Sequence, residues 1–132
     1  MNRLKICDWS LLVVSVLMLA SGIQLEVTSG RCCLFVWLHI IIGVIFAANI
    51  LWHLQLHYHR SNWLSRLWKR PATIKWLTAT GLLTLATGLW ATGEWLATHI
   101  HGHVGAVHGK LGFLMFIFVV VHTVQKSRFY RM

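Results

Sequence analysis

The chain has 132 residues, 57% of them hydrophobic and 11% charged, with a single proline, a formal charge of +9 and a mean hydropathy of +0.64. A soluble domain of this length cannot hide so much apolar surface in one core, whereas lipid-facing helices expose it without cost. The composition therefore excludes an ordinary soluble domain. The position of the charges excludes the other common use of a basic chain, nucleic-acid binding, because the cations fall between apolar runs and form no single patch.

In chain order, uncharged stretches run over residues 9–25, 34–56 and 76–92, and a fourth, 104–124, is interrupted only by Lys110. Each suits a hydrocarbon layer of about 30 Å, crossed at about 1.5 Å per residue. The expected architecture is all-α. It is a membrane-embedded four-helix bundle in one domain, 1–132, with spans over about 9–27, 34–57, 73–92 and 104–124. Arg3 and Lys5 precede the first span. Arg60, Arg66, Lys69, Arg70 and Lys75 lie between the second and third, and Lys126, Arg128 and Arg131 follow the fourth. By the positive-inside rule these segments face the cytoplasm, so both termini are predicted inside. Arg31, Lys110, Glu26 and Glu94 fall toward the other face. The expected location is the inner membrane of a bacterial cell, as a multi-pass protein in contact with lipid. The first span is longer than the apolar region of a usual leader and has no clean small-residue cleavage site after it, so it is expected as a mature helix.

The connections are predicted short outside and longer inside. Thr28 to Cys33 reads as a tight outer turn containing Gly30, and Gly93 to His103 as a histidine-rich outer loop. Between His57 and Ala72, Ser61 can cap a short interfacial helix over about 61–70, with Trp63, Leu64, Leu67 and Trp68 on one side and Arg60, Arg66 and Arg70 away from it. Pro71 can then open the third span. The cysteines, Cys7, Cys32 and Cys33, form no C-x-x-C or C-x-x-C-H, which argues against a zinc ribbon and covalent haem. They read as small apolar residues, with an outer disulfide as the alternative. The tryptophans mostly mark the interfaces, as an aromatic belt does.

An internal repeat organises these pieces into two helical hairpins offset by about 67 residues. Trp9 and Trp76 open the first and third spans, which end in Leu19-Ala20-Ser21-Gly22 and Leu85-Ala86-Thr87-Gly88. The second and fourth spans both read His-x3-Gly-x9-His, as His39, Gly43 and His53 and as His108, Gly112 and His122. A separation of 14 residues closes almost four helical turns and rises about 21 Å, so both histidines of each helix share a face at two depths. With the second and fourth spans parallel, His39 is expected to face His108, and His53 to face His122. That geometry holds two metalloporphyrins, one above the other, each iron gripped by two imidazoles. Gly43 and Gly112, one turn inward from the outer histidines, either clear space for the macrocycle or serve as close packing positions. Paired intramembrane histidines in common register outweigh the alternative of interhelical hydrogen bonds worth about 1 kcal/mol each.

On these residues the chain resembles the small four-helix membrane cytochromes of the cytochrome b N-terminal type, and within them the flavinylation-associated cytochrome family, from about Lys5 to Lys126. The resemblance implies two b haems, with His39 and His108 as axial ligands of the outer iron and His53 and His122 of the inner. It also implies electron passage across the membrane between a quinol or cytoplasmic-side donor and an extracytoplasmic acceptor, such as a flavin-bearing protein. No flavin-attachment motif is evident, so the flavin would belong to another chain.

His57, one turn beyond His53, is the alternative inner ligand, although it breaks the repeat with His122. His59 reads as interfacial. His99, His101 and His103, outside the family pattern, can share one side of an extended segment and bind a metal, assist proton transfer at a quinone site, or form a hydrated loop. Lys110 and Arg31 are the candidates for pairing with the outer propionates. Arg60, Lys126 and Arg128 serve either the inner haem or ordinary anchoring. The competing functions are a one-sided quinone or superoxide oxidoreductase, a haem sensor, and a non-redox, histidine-lined metal or proton transporter. The transporter would more naturally add carboxylates, and Asp8, Glu26 and Glu94 all fall near span ends.

Overall fold

The computed structural model describes residues 2–57 and 62–131, and every regular element in them is helical. His59, Arg60 and the expected cap Ser61 lie outside the described residues. The elements are α1 (Arg3–Thr28), α2 (Cys33–His57), α3 (Trp63–Trp68), α4 (Ala72–Thr98) and α5 (His103–Arg131). They divide into two compact units, Met1–Ser61 and Asn62–Met132.

In the first unit α1 packs on α2, and a tight turn joins them. Ser29 and Gly30 both take positive φ there, 51° and 61°, and the Gly30 N–H reaches back to the Leu25 carbonyl at 2.9 Å. This bond satisfies a carbonyl that the helix end would otherwise leave open, and it reverses the chain within four residues, 29–32. The cross-helix contacts keep one antiparallel register along the hairpin. Ser21 meets His39, Met18 faces Gly43, Ser10 O–H donates to Asn49 Oδ1 at 2.7 Å, and Asp8 meets His53. No disulfide joins Cys32 and Cys33, and Cys7 is buried.

In the second unit α4 packs on α5, with Gly88 against His108, Thr84 against Gly112 and Gly81 against Met115. The short α3 precedes it, its N-cap Asn62 at φ 89°, and its helix is shorter than the expected 61–70. Arg66 and Trp68 are both exposed, and Lys75 Nζ sits 5.8 Å from the Trp68 ring. Pro71 stands immediately before α4, and its carbonyl accepts from Ile74 N–H at 3.1 Å.

Two boundaries differ from the sequence expectation. The segment from Gly93 onward is helix and not loop: α4 continues to Thr98, because one glycine costs only about 1 kcal/mol in a helix, while Trp95 is buried and Thr98 O–H donates to the Glu94 carbonyl. Ser21-Gly22 and Thr87-Gly88 accordingly lie inside α1 and α4, not at their ends.

The burial pattern is that of a protein with an apolar exterior. Ser15, Ser21, Thr80 and Thr84 are buried, while Val13, Val16, Leu17, Leu82, Leu83 and Leu89 are exposed. Small residues inside let helices approach, and large apolar ones outside meet lipid. Helices α1, α2 and α5 are long and apolar enough to cross a membrane. The remaining long helix, α4, has 27 residues but carries seven threonines, which lower its apolarity. Its hydroxyls at Thr78, Thr80, Thr84 and Thr87 all donate to carbonyls one turn back, so their polarity is met within the helix. The chain is a helical membrane protein.

Candidate functional site

Within each hairpin, the first helix presents a hydroxyl and a glycine to the first histidine of the H-x3-G-x9-H pattern on the second. In the first unit Ser21 O–H donates to the Met18 carbonyl at 3.0 Å, so Ser21 Oγ, 2.8 Å from His39 Nδ1, accepts from that ring. In the second, Thr87 O–H donates to the Leu83 carbonyl at 2.7 Å. His108 Nδ1 lies 3.0 Å from the Thr84 carbonyl and 3.4 Å from Thr87 Oγ1, both of which accept from it. A carbonyl has no proton to give, which fixes the His108 proton on Nδ1; the engaged Ser21 hydroxyl does the same for His39. In both rings the lone pair is on Nε2. This is the support that metal-binding histidines receive, with one nitrogen anchored and the other presented to the ion.

The adjoining glycines make room for the rings. A Cβ at Gly88 would stand 2.9 Å from His108 Cε1, closer than real Cβ contacts come, and a Cβ at Gly22 would stand 3.7 Å from His39 Cε1. Gly43 and Gly112 face their own hairpin partners: a Cβ there would meet Met18 Cε at 3.6 Å and Thr84 Cγ2 at 3.7 Å, ordinary contact distances.

At the other end of the first hairpin the arrangement changes character. Asp8 Oδ1 lies 3.1 Å from His53 Nδ1 and 3.7 Å from His57 Nε2, and the two rings approach to 4.4 Å between centroids. Asp8, His53 and His57 are the one group among the described residues whose ligand atoms gather within 4.8 Å. Sequence reasoning set Asp8 aside as an end residue; only the antiparallel register brings it to His53. His122 is half-buried on α5, the same uninterrupted helix as His108.

The cations proposed for propionates are placed as follows. Arg31, in the turn between α1 and α2, and Lys110, two residues past His108, are both exposed; Lys126 is half-buried and Arg128 exposed. His99, His101 and His103 do not form the extended segment in which alternate side chains share a side. His99 caps α4 with φ 54°, its N–H bonded to the Trp95 carbonyl at 2.7 Å, and His103 opens α5. Gly102 packs against the Glu94 carboxylate, and no side chain would fit there without displacing it.

Sequence reasoning singled out the four histidines but not their neighbours: Ser21 beside His39, Thr84, Thr87 and Gly88 beside His108, Gly22 beside His39 and Asp8 beside His53. The signal lay in the repeated Ser-Gly and Thr-Gly pairs. No protein-family model, curated protein or solved structure matches the chain.

Proposed function

We propose that the protein is a di-haem, b-type membrane cytochrome of four spans, with both termini cytoplasmic, that carries electrons across the bilayer. The observation that carries this reading is the matched support of His39 and His108: an anchored Nδ1, a lone pair on Nε2 and a glycine beside the ring, arrived at in two hairpins through different residues. A structural histidine in a membrane needs only one hydrogen bond, whereas this arrangement also orients the second nitrogen. Haem b, when bound, supplies one-electron redox chemistry at an iron held by two imidazoles. His39 and His108 ligate at the outer depth, and His53 and His122 at the inner. Their 14-residue separation, about 21 Å, suits transfer from one interface toward the other. The electron donor is a quinol or cytoplasmic-side reductant, and the acceptor is an extracytoplasmic redox protein.

A purified preparation tests this directly. The expected result is a sharp, low-spin reduced spectrum and a pyridine haemochrome content near two non-covalent haems per chain. A colourless protein, or haem that resists acid-acetone extraction, overturns the reading.

One observation favours a second reading. Asp8, His53 and His57 offer the mixed carboxylate and imidazole set that a divalent transition-metal ion takes, and so supply the carboxylate that a cation transporter calls for. Under that reading the isolated protein contains stoichiometric zinc or a similar ion that Asp8→Ala and His57→Ala both remove, and no haem.

A further inference from the structure

Three of the four intramembrane histidine positions can be compared through their anchoring groups, and they are not electrically alike. His39 Nδ1 is held by the Ser21 hydroxyl, and His108 Nδ1 by the Thr84 carbonyl and the Thr87 hydroxyl, all neutral acceptors. His53 Nδ1 faces a carboxylate, Asp8 Oδ1, at 3.1 Å, with both side chains mostly withdrawn from solvent. Among the described residues, the second hairpin places no aspartate or glutamate side chain at that position. The register that sets Gly88 against His108 and Gly81 against Met115 runs on to Ile74 and Lys75 at the depth of His122. The chain has only three acidic residues, and the other two, Glu26 and Glu94, lie at the opposite ends of their helices.

Resting on the di-haem reading, we propose that Asp8 is a positioning residue for His53 that makes the inner site the one of lower reduction potential. The carboxylate places a negative charge 3.1 Å behind the ligand without a well-formed hydrogen bond to it. That charge favours the more positive, oxidised iron over the reduced one. At the partly exposed span end that charge is partly screened, yet the neutral acceptors behind His39 and His108 add none. His57, 3.7 Å from the same oxygen, shares Asp8 and weakens its hold on His53. The unequal anchoring orders the two sites: an electron entering at the inner, lower-potential site moves outward downhill.

The test is an optical redox titration of the purified haem-loaded protein, with the two one-electron steps assigned by the haem lost in His53→Ala and in His39→Ala. Asp8→Asn should raise the step belonging to His53 at least tenfold in its reduction equilibrium, which is about 59 mV for one electron, and leave the other step in place. Asp8→Glu should keep the step low, and His57→Ala should lower it further. The electron paramagnetic resonance signal of the oxidised inner site should shift in Asp8→Asn, a change that loosened packing alone would not confine to one site. If Asp8→Asn does not accumulate, the opposed behaviour of Asp8→Glu and His57→Ala carries the test. The inference is overturned if two haems are bound and neither step moves, if the moving step is the one assigned to His39, or if His57→Ala raises the step. A wild-type protein with no haem overturns the di-haem reading itself, and this inference with it.

Discussion

A methyl group at Gly88 would stand 2.9 Å from Cε1 of His108, whereas one at Gly22 would meet Cε1 of His39 at 3.7 Å. The first distance forces the ring off its anchoring carbonyl, and overpacking of this kind costs about 1–3 kcal/mol. Gly88→Ala should therefore reduce haem content toward one per chain and broaden the low-spin resonance of the site that remains perturbed, while Gly22→Ala should keep both haems. Quantitative haem analysis of the two variants decides this, and equal behaviour would mean that ring placement does not matter. The hydroxyls give a second contrast. Removing the group behind a metal-binding histidine commonly weakens the site about 10- to 100-fold. Ser21→Ala should show such weakening in haem transfer to apomyoglobin. Thr87→Ala should show much less, because His108 keeps its 3.0 Å bond to the Thr84 carbonyl.

At the scale of elements, the helices were legible because charge is intolerable in hydrocarbon, so uncharged runs report where the chain can cross. Their ends were less legible. Nothing in Gly93-Glu94-Trp95 marks a helix by apolarity, yet α4 continues through it on backbone bonds and a buried Trp95. The histidine positions were legible from a spacing that needs only helical geometry. Their anchors were not, because Ser21, Thr84 and Asp8 lie on preceding helices and meet the rings only through the antiparallel register of each hairpin. The crossing of α4, with its seven threonines, is the element-level prediction. The native cysteines provide one side of the test, since Cys33 is exposed beside the turn between α1 and α2 and Cys7 is buried. An impermeant maleimide applied to right-side-out vesicles should label the Cys32–Cys33 turn. In a variant lacking those two, a cysteine introduced by Lys69→Cys should react only after the vesicles are opened, and one introduced by Gly102→Cys should not be used, because Glu94 occupies the space it needs. Thr98→Cys, exposed at the last turn of α4, is the suitable outer probe, and labelling of both Lys69→Cys and Thr98→Cys from one side would deny that α4 crosses.

For the whole molecule, the proposed function turns on continuity of an electron path. Under that proposal, two ligand sets separated by about 21 Å along the helices would reach toward both interfaces, and neither set would do so alone. The ligands should pair by depth: His39→Ala and His108→Ala should lose the same haem, His53→Ala and His122→Ala the other, each variant keeping about one per chain because the remaining site is built from separate residues. Transport then follows. In liposomes that enclose ferricyanide and meet an external reductant that cannot cross, the wild type should oxidise reductant over many turnovers. The His53→Ala and His108→Ala variants should each stop it, since each interrupts the path at a different depth. Asp8→Asn separates conduction from energetics in the same assay. It should still conduct, because His53 remains, but with a smaller preference for outward flow when the vesicle contents and medium are exchanged. If the wild type binds two haems and still passes no electrons, transfer is confined to one face. A quinone or superoxide reaction at that face, or haem sensing, then accounts for the paired histidines better than transmembrane conduction does.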